Sequence, residues 1–170
     1  MDKIKQQKRN YTPVHIRSMI RRRDMPEMLQ IENDNFDNPW TEDDFVRCLR
    51  QRRCIYYGMV AELEEKIVGF FIYKIHKLKL HIVNFCVHAE YQRSGIGSQM
   101  INKLIGELSL DRRDHITLEV RETNVVAQLF FSSHWFKVVS VFRNFYDDSE
   151  EDAYYMEYRL NPSRIYENTI

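Results

Sequence analysis

The sequence predicts one α/β (α+β) domain in which a mixed β-sheet carries helices on both faces. Its 170 residues are close to the usual size of a single domain. Hydrophobic residues make up 44% of the chain and charged residues 29%, which is typical of a globular protein with a packed core. Strand-like and helix-like periodicities follow each other in the order βααβββαβαββ, and this order favours helices on both sides of one sheet.

The first elements follow a basic tail that is predicted at residues 1–12. Residues 14–17 have the character of a short strand. A first helix is predicted to begin with Asp24 as its N-cap, Pro26 in its first turn and Glu27 at the capping-box position. Its apolar positions recur at helical spacing: Met25, Met28, Leu29 and Phe36.

A second helix is predicted after the break at Asn38-Pro39. Thr41 and Asp44 have the spacing of a capping box at its start. Phe45 and Leu49 then form the inner face of the helix.

From residue 56 onward the sequence changes to runs typical of strands. Strands at 56–63 and 67–76 are predicted to form a hairpin through Glu64-Glu65-Lys66, and 80–87 is a third strand. An amphipathic helix is expected after Gly97, with one apolar stripe: Met100, Ile101, Leu104, Ile105 and Leu108.

The last part of the domain repeats the alternation of strand and helix. The predicted elements are a strand at 116–121, a helix at 125–133 and a closing hairpin of strands at 138–145 and 153–160. The domain is therefore expected to span residues 13–161, followed by a C-terminal tail at 162–170.

Composition argues against a membrane protein, a secreted protein and a nucleic-acid-binding protein. The longest apolar run, Ile67 to Tyr73, is far shorter than the ~20 residues that span a bilayer, and no secretory signal is recognisable. Cys48, Cys54 and Cys86 fit reduced thiols, so we expect a cytoplasmic protein. The 25 basic and 25 acidic residues cancel, so no overall positive field attracts DNA.

A glycine pair marks the most informative loop. The chain has only five glycines, and Gly95 and Gly97 both lie at the start of the predicted amphipathic helix. Backbone N–H groups at such a helix start, together with the helix dipole, form a site for an anion such as a pyrophosphate. Arg93 adds a positive charge beside it. Tight turns also contain G-x-G, so the pattern alone leaves the function open.

The context of this loop resembles a known family. Residues 92–97 (QRSGIG) resemble the Q/R-x-x-G-x-G/A signature of the GNAT superfamily of N-acetyltransferases. Further segments resemble its ribosomal-protein alanine N-acetyltransferase branch: FDNPWT at 36–41, NFCV at 84–87, LEVRETN at 118–124 and RNFY at 143–146. The resemblance implies a mostly antiparallel sheet of six to seven strands, in which two central parallel strands splay apart.

The same resemblance implies that acetyl-CoA lies between the strands 80–87 and 116–121. A backbone N–H at the thioester oxygen would stabilise the developing negative charge, an effect that can be worth about 10²–10³ in rate. The implied cofactor-binding residues are Phe85, Cys86, Val87, Arg93, Ser94, Gly95, Ile96, Gly97, Ser98 and Asn124. The six histidines lack the spacing of zinc ligands, so no metal is expected.

The resemblance assigns Glu119 as the base that deprotonates the acceptor amine. A free α-amino group has a pKa near 7.7–8.0, so it is mostly protonated at neutral pH and a base is useful. Strand periodicity alone would equally suit a surface glutamate paired with an arginine. Trp40 and Tyr146 are candidates for the wall of an acceptor groove.

Two positions depart from the family pattern. Phe131 stands where the family has the tyrosine that protonates the leaving thiolate, and a phenylalanine has no proton to donate. Trp135 stands where a glycine normally precedes Phe136. Because a thiol is a fair leaving group, the thiolate either departs unassisted or receives a proton from another hydroxyl such as Tyr146.

The sequence therefore predicts an acetyl-CoA-dependent N-acetyltransferase that modifies a protein N-terminus, with a ribosomal protein as the acceptor that the resemblance implies. Two alternatives stay open. The acidic turn 147–152 would suit a lysine, polyamine or other small cationic amine. Phe131 would suit an acyl-CoA-binding domain that has little or no turnover.

Overall fold

A computed structural model describes residues 11–161, so the tails predicted at 1–12 and 162–170 lie almost entirely outside the described residues. The elements are β1 (His15–Ser18), α1 (Arg21–Asn35), α2 (Glu42–Leu49), β2 (Ile55–Leu63), β3 (Lys66–Ile75), β4 (Lys79–Val87), α3 (Ile96–Ile105), β5 (His115–Arg121), α4 (Val125–Ser133), β6 (Lys137–Phe142) and β7 (Ala153–Arg159). A short 3₁₀ turn at Ala89–Tyr91 precedes α3. No helix in residues 11–161 is long and apolar enough to cross a membrane.

The strands form one seven-stranded sheet in the order β1-β2-β3-β4-β5-β7-β6. Every neighbouring pair is antiparallel except β4 and β5, which run parallel at the centre. This arrangement confirms the predicted fold class, including the number of strands and the central parallel pair.

The helices divide between the two faces of the sheet and build two hydrophobic clusters. On one face, α3 and α4 contribute Ile96, Met100 and Phe131 to a cluster that includes the core side of β5. On the other face, α1 and α2 contribute Met28 and Phe45 to a second cluster over β2 and β3. The prediction that helices cover both faces is therefore confirmed.

The start of α1 differs from the prediction. The N-cap is Ile20 rather than Asp24, which lies one turn inside the helix and is fully buried. Its carboxylate accepts from the Ile20 amide at 2.6 Å and forms two hydrogen bonds with Arg17 at 2.7 and 2.9 Å. Burial alone would raise the pKa of Asp24, but the bonds from Arg17 and Ile20 outweigh it and lower the pKa.

Other boundaries shift by a few residues. Phe36 lies just past α1 and is partly exposed, so it does not belong to the apolar stripe of that helix. Helix α3 begins at Ile96 and ends before Leu108, because a turn follows Gly106. Strand β6 ends at Phe142 rather than at residue 145, because the chain turns there toward β7.

Two predicted local motifs are present in detail. Thr41 and Asp44 form the expected capping box at the start of α2. The hairpin between β2 and β3 turns at Glu64 and Glu65, which have φ of 49° and 68°, while Lys66 already pairs with Leu63. A two-residue turn of this kind matches the twist of the two strands.

Trp135 ends α4 in a backbone conformation that usually belongs to glycine. Its φ is 69°, in the left-handed region. The Phe136 amide donates to the Phe131 carbonyl, and the Trp135 amide donates to the Ser132 carbonyl, both at 3.1 Å. These two bonds define a Schellman motif, in which glycine at the left-handed position avoids the steric cost of a Cβ.

We predict that Trp135→Gly is more stable than Trp135→Ala by about 1 kcal/mol, because both variants lack the indole and only alanine keeps a Cβ in the left-handed region. Urea unfolding of the two variants measures the difference in the free energy of unfolding. An alanine variant as stable as the glycine variant would contradict the prediction.

Candidate active site

The central parallel strands separate soon after they meet. Strand β4 pairs with β5 only through Lys79, Leu80 and His81, and the last pair is His81 with Thr117. A β-bulge adds to the divergence, because β3 pairs with β4 at Ile82 and then skips to Asn84. Residues 82–87 and 118–121 therefore border a V-shaped opening, with no ladder between them.

The start of α3 lies beyond the end of β4. Arg93 and Gly95 both have left-handed backbones, with φ of 63° and 83°, and Gly95 is the N-cap of the helix. The first-turn amides of Ile96, Gly97 and Ser98 have no partner in the preceding turn of a helix, as at any helix start. No loop carbonyl or side chain in residues 11–161 accepts from them. This loop therefore presents the donors that an anion such as a pyrophosphate requires.

Gly97 also has a packing role that the sequence did not predict. A Cβ at this position would lie 3.1 Å from Cε2 of Phe130 and 3.8 Å from Cε1 of Phe85. The missing side chain therefore lets the aromatic ring of α4 approach the start of α3. Larger residues would push the ring and the loop apart.

The loop is held in place from three sides. Ser94 Oγ donates to the Tyr91 carbonyl, and the Ser94 carbonyl accepts from the Thr12 amide at 2.9 Å. Ser98 Oγ lies 3.0 Å from Nε2 of His134, at the end of α4. These bonds leave the backbone amides of the first turn as the groups available to a ligand.

Among the predicted pantetheine-binding residues of β4, Phe85 and Cys86 have side chains that pack against the rest of the protein. The Phe85 ring packs against Phe130 and Phe131, with centroid distances of 5.6 Å to each. Cys86 is buried on the opposite face, and burial raises the pKa of its thiol to about 12. The Val87 carbonyl accepts from Gln92 Nε2 at 3.1 Å.

Asn124 follows β5 and caps α4. Its Oδ1 accepts from the Ala127 amide at 3.0 Å. Its Nδ2 has no acceptor among residues 11–161, so the amide group is the part of Asn124 that a ligand can contact.

Glu119 lies on the free part of β5 and pairs with a histidine. His81 Nε2 is 3.1 Å from Glu119 Oε2, and His81 Nδ1 is 2.9 Å from Thr117 Oγ1. About a fifth of the Glu119 side chain is exposed, at 20%. The arginine partner that strand periodicity allowed is therefore absent from the described residues, and Glu119 stays accessible from the opening.

Tyr146 lies in the β6–β7 connection beneath a guanidinium group. The Cζ atom of Arg121 is 3.8 Å from the centroid of the Tyr146 ring. Burial raises the pKa of Tyr146 to about 12, the Arg121 charge opposes this rise, and the negative charge of Glu119 adds to it. The Tyr146 phenol is therefore protonated at neutral pH.

Arg121 fixes the β6–β7 connection to the end of β5. Its guanidinium donates to Asp148 Oδ2 at 2.7 Å and to Glu151 Oε2 at 2.9 Å. Asp148 also accepts from Asn38 Nδ2 at 2.7 Å, which joins this connection to the α1–α2 loop. Asp152 pairs with Arg143. Three of the five carboxylates of the acidic turn therefore have an arginine partner, with Arg121 shared by two of them.

Trp40 lies in the α1–α2 loop on the same face as Tyr146. Its ring packs edge-on against Phe45 at a centroid distance of 5.3 Å. The Trp40 amide donates to buried Glu32 at 3.1 Å, and Asn84 Nδ2 donates to the other Glu32 oxygen at 3.0 Å. Burial raises the pKa of Glu32, and these two bonds oppose the rise. Glu32 thereby ties the Trp40 loop to the β4 bulge.

Phe131 is enclosed by other aromatic rings. It is 5% exposed and contacts Phe85, Phe130 and Phe136 at centroid distances of 5.1 to 5.6 Å. None of these neighbours carries a proton donor, so the aromatic rings around Phe131 form a hydrophobic contact without a hydroxyl group.

Arg121 and His81 contact predicted site residues, Tyr146 and Glu119, but were not themselves predicted to belong to the site. The signal for Arg121 was present, because Thr117, Glu119 and Arg121 alternate along β5 and therefore share one face. His81 could not be found in this way, since its pairing with Glu119 depends on the register between two strands distant in sequence.

Known proteins share both the sequence pattern and the fold. The ribosomal protein bS18-alanine N-acetyltransferase of Escherichia coli (strain K12) is 29% identical over 141 residues, which cover 82% of this chain and 93% of that protein. A crystal structure of the ribosomal-protein-S18-alanine N-acetyltransferase from Escherichia coli superposes with a TM-score of 0.75 at 27% identity, covering 88% of this chain and 95% of that chain. NAA60 of Arabidopsis thaliana in complex with acetyl-CoA has the same fold, with a TM-score of 0.73 at 18% identity. The superposition covers 87% of this chain and 100% of that chain.

The family comparison covers the segments that build the site. The sequence model of the acetyltransferase (GNAT) family matches residues 25–135, from α1 to the end of α4. This span contains the splayed strands, the start of α3 and Glu119. With the match extending over more than half of its length, the chain belongs to the acetyltransferase (GNAT) family.

Proposed function

We propose that this protein transfers the acetyl group of acetyl-CoA to the α-amino group of a protein N-terminus, in the manner of the ribosomal-protein alanine N-acetyltransferases. The observation that carries the proposal is the opening between β4 and β5, which has free helix-start amides at one end and Glu119 on its wall. The bacterial relatives, named for acetylation of a ribosomal protein, support an acceptor of that kind. We propose that the reaction takes place in the cytoplasm.

Acetyl-CoA supplies an activated acetyl thioester, and the opening offers hydrogen-bonding groups to its different parts. The unpaired edge of β4 at residues 82–87 offers backbone groups to the pantetheine chain. The amides of Ile96, Gly97 and Ser98 offer donors to the pyrophosphate. The Asn124 amide group would hold the cofactor from the β5 side. These residues bind and orient the donor, and no metal is required for this chemistry.

Glu119 is the proposed base and removes a proton from the attacking amine, directly or through a water molecule. A base is useful because the amine is mostly protonated at neutral pH, and an ionised carboxylate can accept that proton. Tyr146 is the proposed proton donor to the leaving sulfur, since Phe131 has no hydroxyl and the Tyr146 ring lies against Arg121, which shares a face of β5 with Glu119. Trp40 and Tyr146 belong to two loops joined by the Asn38–Asp148 bond, and these loops would border the acceptor peptide.

The proposal is tested with a panel of acceptors and a measurement of free-thiol release from acetyl-CoA. The panel contains peptides with a free N-terminal alanine, the same peptides with a blocked N-terminus and an internal lysine, and polyamines. Release with the free N-terminus alone supports the proposal. Thiol release only with lysine or polyamines would show that the acceptor is one of these amines and not a protein N-terminus. CoA binding without any thiol release would indicate a binding domain.

Glu119→Gln should reduce turnover roughly 10²-fold near neutral pH, because the amide keeps the shape of the side chain but cannot accept the proton. The dissociation constant for acetyl-CoA should stay nearly constant. Glu157→Gln, on the adjacent strand β7, is the matched control and should keep the wild-type rate. An unchanged rate in Glu119→Gln would leave this carboxylate without a role in catalysis.

Gly97→Val should weaken acetyl-CoA binding at least tenfold, a change of about 1.4 kcal/mol in binding free energy. A valine would press on the Phe130 ring and displace the loop whose amides are proposed to bind the pyrophosphate. Gly106→Val, at the exposed far end of the same helix, is the control. If calorimetry shows that folded Gly97→Val binds acetyl-CoA as tightly as the wild-type protein, this loop does not belong to the binding site.

Tyr146→Phe should lower turnover by about 10² or more if the phenol protonates the leaving sulfur, and it should preserve the stacking of Arg121. The double variant Tyr146→Phe/Phe131→Tyr tests whether a phenol at the family position restores the rate. Steady-state kinetics of both variants and of Phe131→Tyr alone are compared with wild type. A wild-type rate in Tyr146→Phe, together with a faster Phe131→Tyr, would show that the thiolate leaves without help from Tyr146.

A further inference from the structure

The end of α4 packs against the first turn of α3. A Cβ at Gly97 would lie 3.1 Å from the Phe130 ring, and the centroid of that ring is 4.5 Å from the centroid of the His134 ring. His134 is the C-cap of α4, and its Nε2 lies 3.0 Å from Ser98 Oγ. One histidine therefore joins the end of α4 to the turn whose amides are proposed to bind the pyrophosphate of acetyl-CoA.

The contacts of the His134 ring define the direction of its hydrogen bonds. Nδ1 is 2.8 Å from the Phe130 carbonyl oxygen, which can only accept, so Nδ1 carries a proton. In a neutral imidazole Nε2 is then an acceptor, and the Ser98 hydroxyl donates its proton to it. In an imidazolium Nε2 is a donor instead, and the Ser98 hydroxyl proton is free to point elsewhere.

A bound pyrophosphate favours the second arrangement. Ser98 supplies one of the free amides of the first turn of α3, so its hydroxyl lies beside the proposed anion site. A phosphate oxygen only accepts hydrogen bonds, so it is repelled by the lone pairs of a hydroxyl that donates to His134. An imidazolium removes this conflict, because the Ser98 hydroxyl can then donate to the phosphate while its oxygen accepts from Nε2–H.

The two helices that meet at His134 carry few charges. Helix α4 has no charged residue, and α3 has none before Lys103, which pairs with Glu107 at 3.4 Å. Immediately before α3 the charged residue is Arg93, and immediately after α4 it is Lys137. Both are cations, so the pyrophosphate itself would be the anion that stabilises an imidazolium at this position.

We infer that His134 is a positioning residue for the pyrophosphate of acetyl-CoA: in its protonated form it donates to Ser98 Oγ and thereby directs the Ser98 hydroxyl toward a phosphate oxygen. When the imidazole is neutral in the free protein, the additional proton comes from the solvent on binding. The charge of the imidazolium adds to the attraction that the helix-start amides exert on an anion. This inference rests on the proposed binding of acetyl-CoA at the start of α3.

Calorimetric binding of two ligands tests this role. Acetyl-CoA contains the pyrophosphate, whereas S-acetylpantetheine is the thioester arm without any phosphate. His134→Leu removes the cation that orients the hydroxyl, and Ser98→Ala removes the hydroxyl itself. Each variant should weaken acetyl-CoA binding about tenfold and leave the binding of S-acetylpantetheine unchanged. His134→Gln, whose amide can still donate to Ser98 Oγ, should recover part of the loss.

Ser133→Ala is the matched control, because the Ser133 hydroxyl lies 3.2 Å from Nδ1 of His134, the ring nitrogen that does not contact Ser98. It should bind both ligands as the wild-type protein does. In the double variant His134→Leu/Ser98→Ala, the loss of acetyl-CoA affinity should be smaller than the sum of the two single losses.

Three results would overturn the inference: an equal weakening of both ligands in His134→Leu, an unchanged affinity of that variant for acetyl-CoA, or fully additive losses in the double variant. The binding constants are measured without an acceptor amine. They are therefore independent of the thiol-release experiment, in which absence of release with every N-terminal peptide would overturn the proposed function.

Discussion

The early end of the β4–β5 ladder is the constraint on which the rest of the site depends. Parallel strands normally continue to pair, and here pairing stops at His81 and Thr117. Both faces of the sheet brace the separated end of β4. On one face the Phe85 ring packs against α4, and on the other Asn84 bonds to buried Glu32 on α1. The opening is therefore held apart by packing on two sides, and the backbone groups along it are preorganised for a ligand.

The separation of β4 from β5 has an energetic cost at a few buried polar groups. The bulge leaves Oδ1 of Asn84 buried without a hydrogen-bond partner in residues 11–161, and a buried unpaired acceptor costs about 1–3 kcal/mol. Burial also makes the Glu32 charge unfavourable, as the raised pKa of that group indicates. Both costs arise where Asn84 of the β4 bulge bonds to Glu32 of α1, and the hydrophobic clusters on the two faces of the sheet offset them.

Local patterns in the sequence predicted most of the fold, and tertiary contacts account for what they missed. The Thr41–Asp44 capping box is a local signal, and it is present as expected. Asp24 resembles an N-cap in the sequence, but it lies inside α1 and pairs with Arg17 on β1. A local sequence pattern does not reveal such a tertiary pairing. The same division applies to the site: the glycine loop and Glu119 could be proposed from motifs, whereas the partner of Glu119 required the register of two strands.

The two departures from the family pattern lie in the second half of α4 and just after its end, and the structure accommodates each in a different way. Trp135 keeps the backbone of the glycine it replaces, with the Schellman bonds intact, so the change affects stability rather than topology. Phe131 keeps an aromatic ring in the cluster that braces Phe85, so the packing function of the position survives without its hydroxyl. The change at Phe131 therefore separates two roles that a tyrosine would combine. The ring still packs against Phe85, and the missing hydroxyl leaves two routes open: the thiolate departs unassisted, or it takes a proton from another group, for which we propose the Tyr146 phenol beside Arg121.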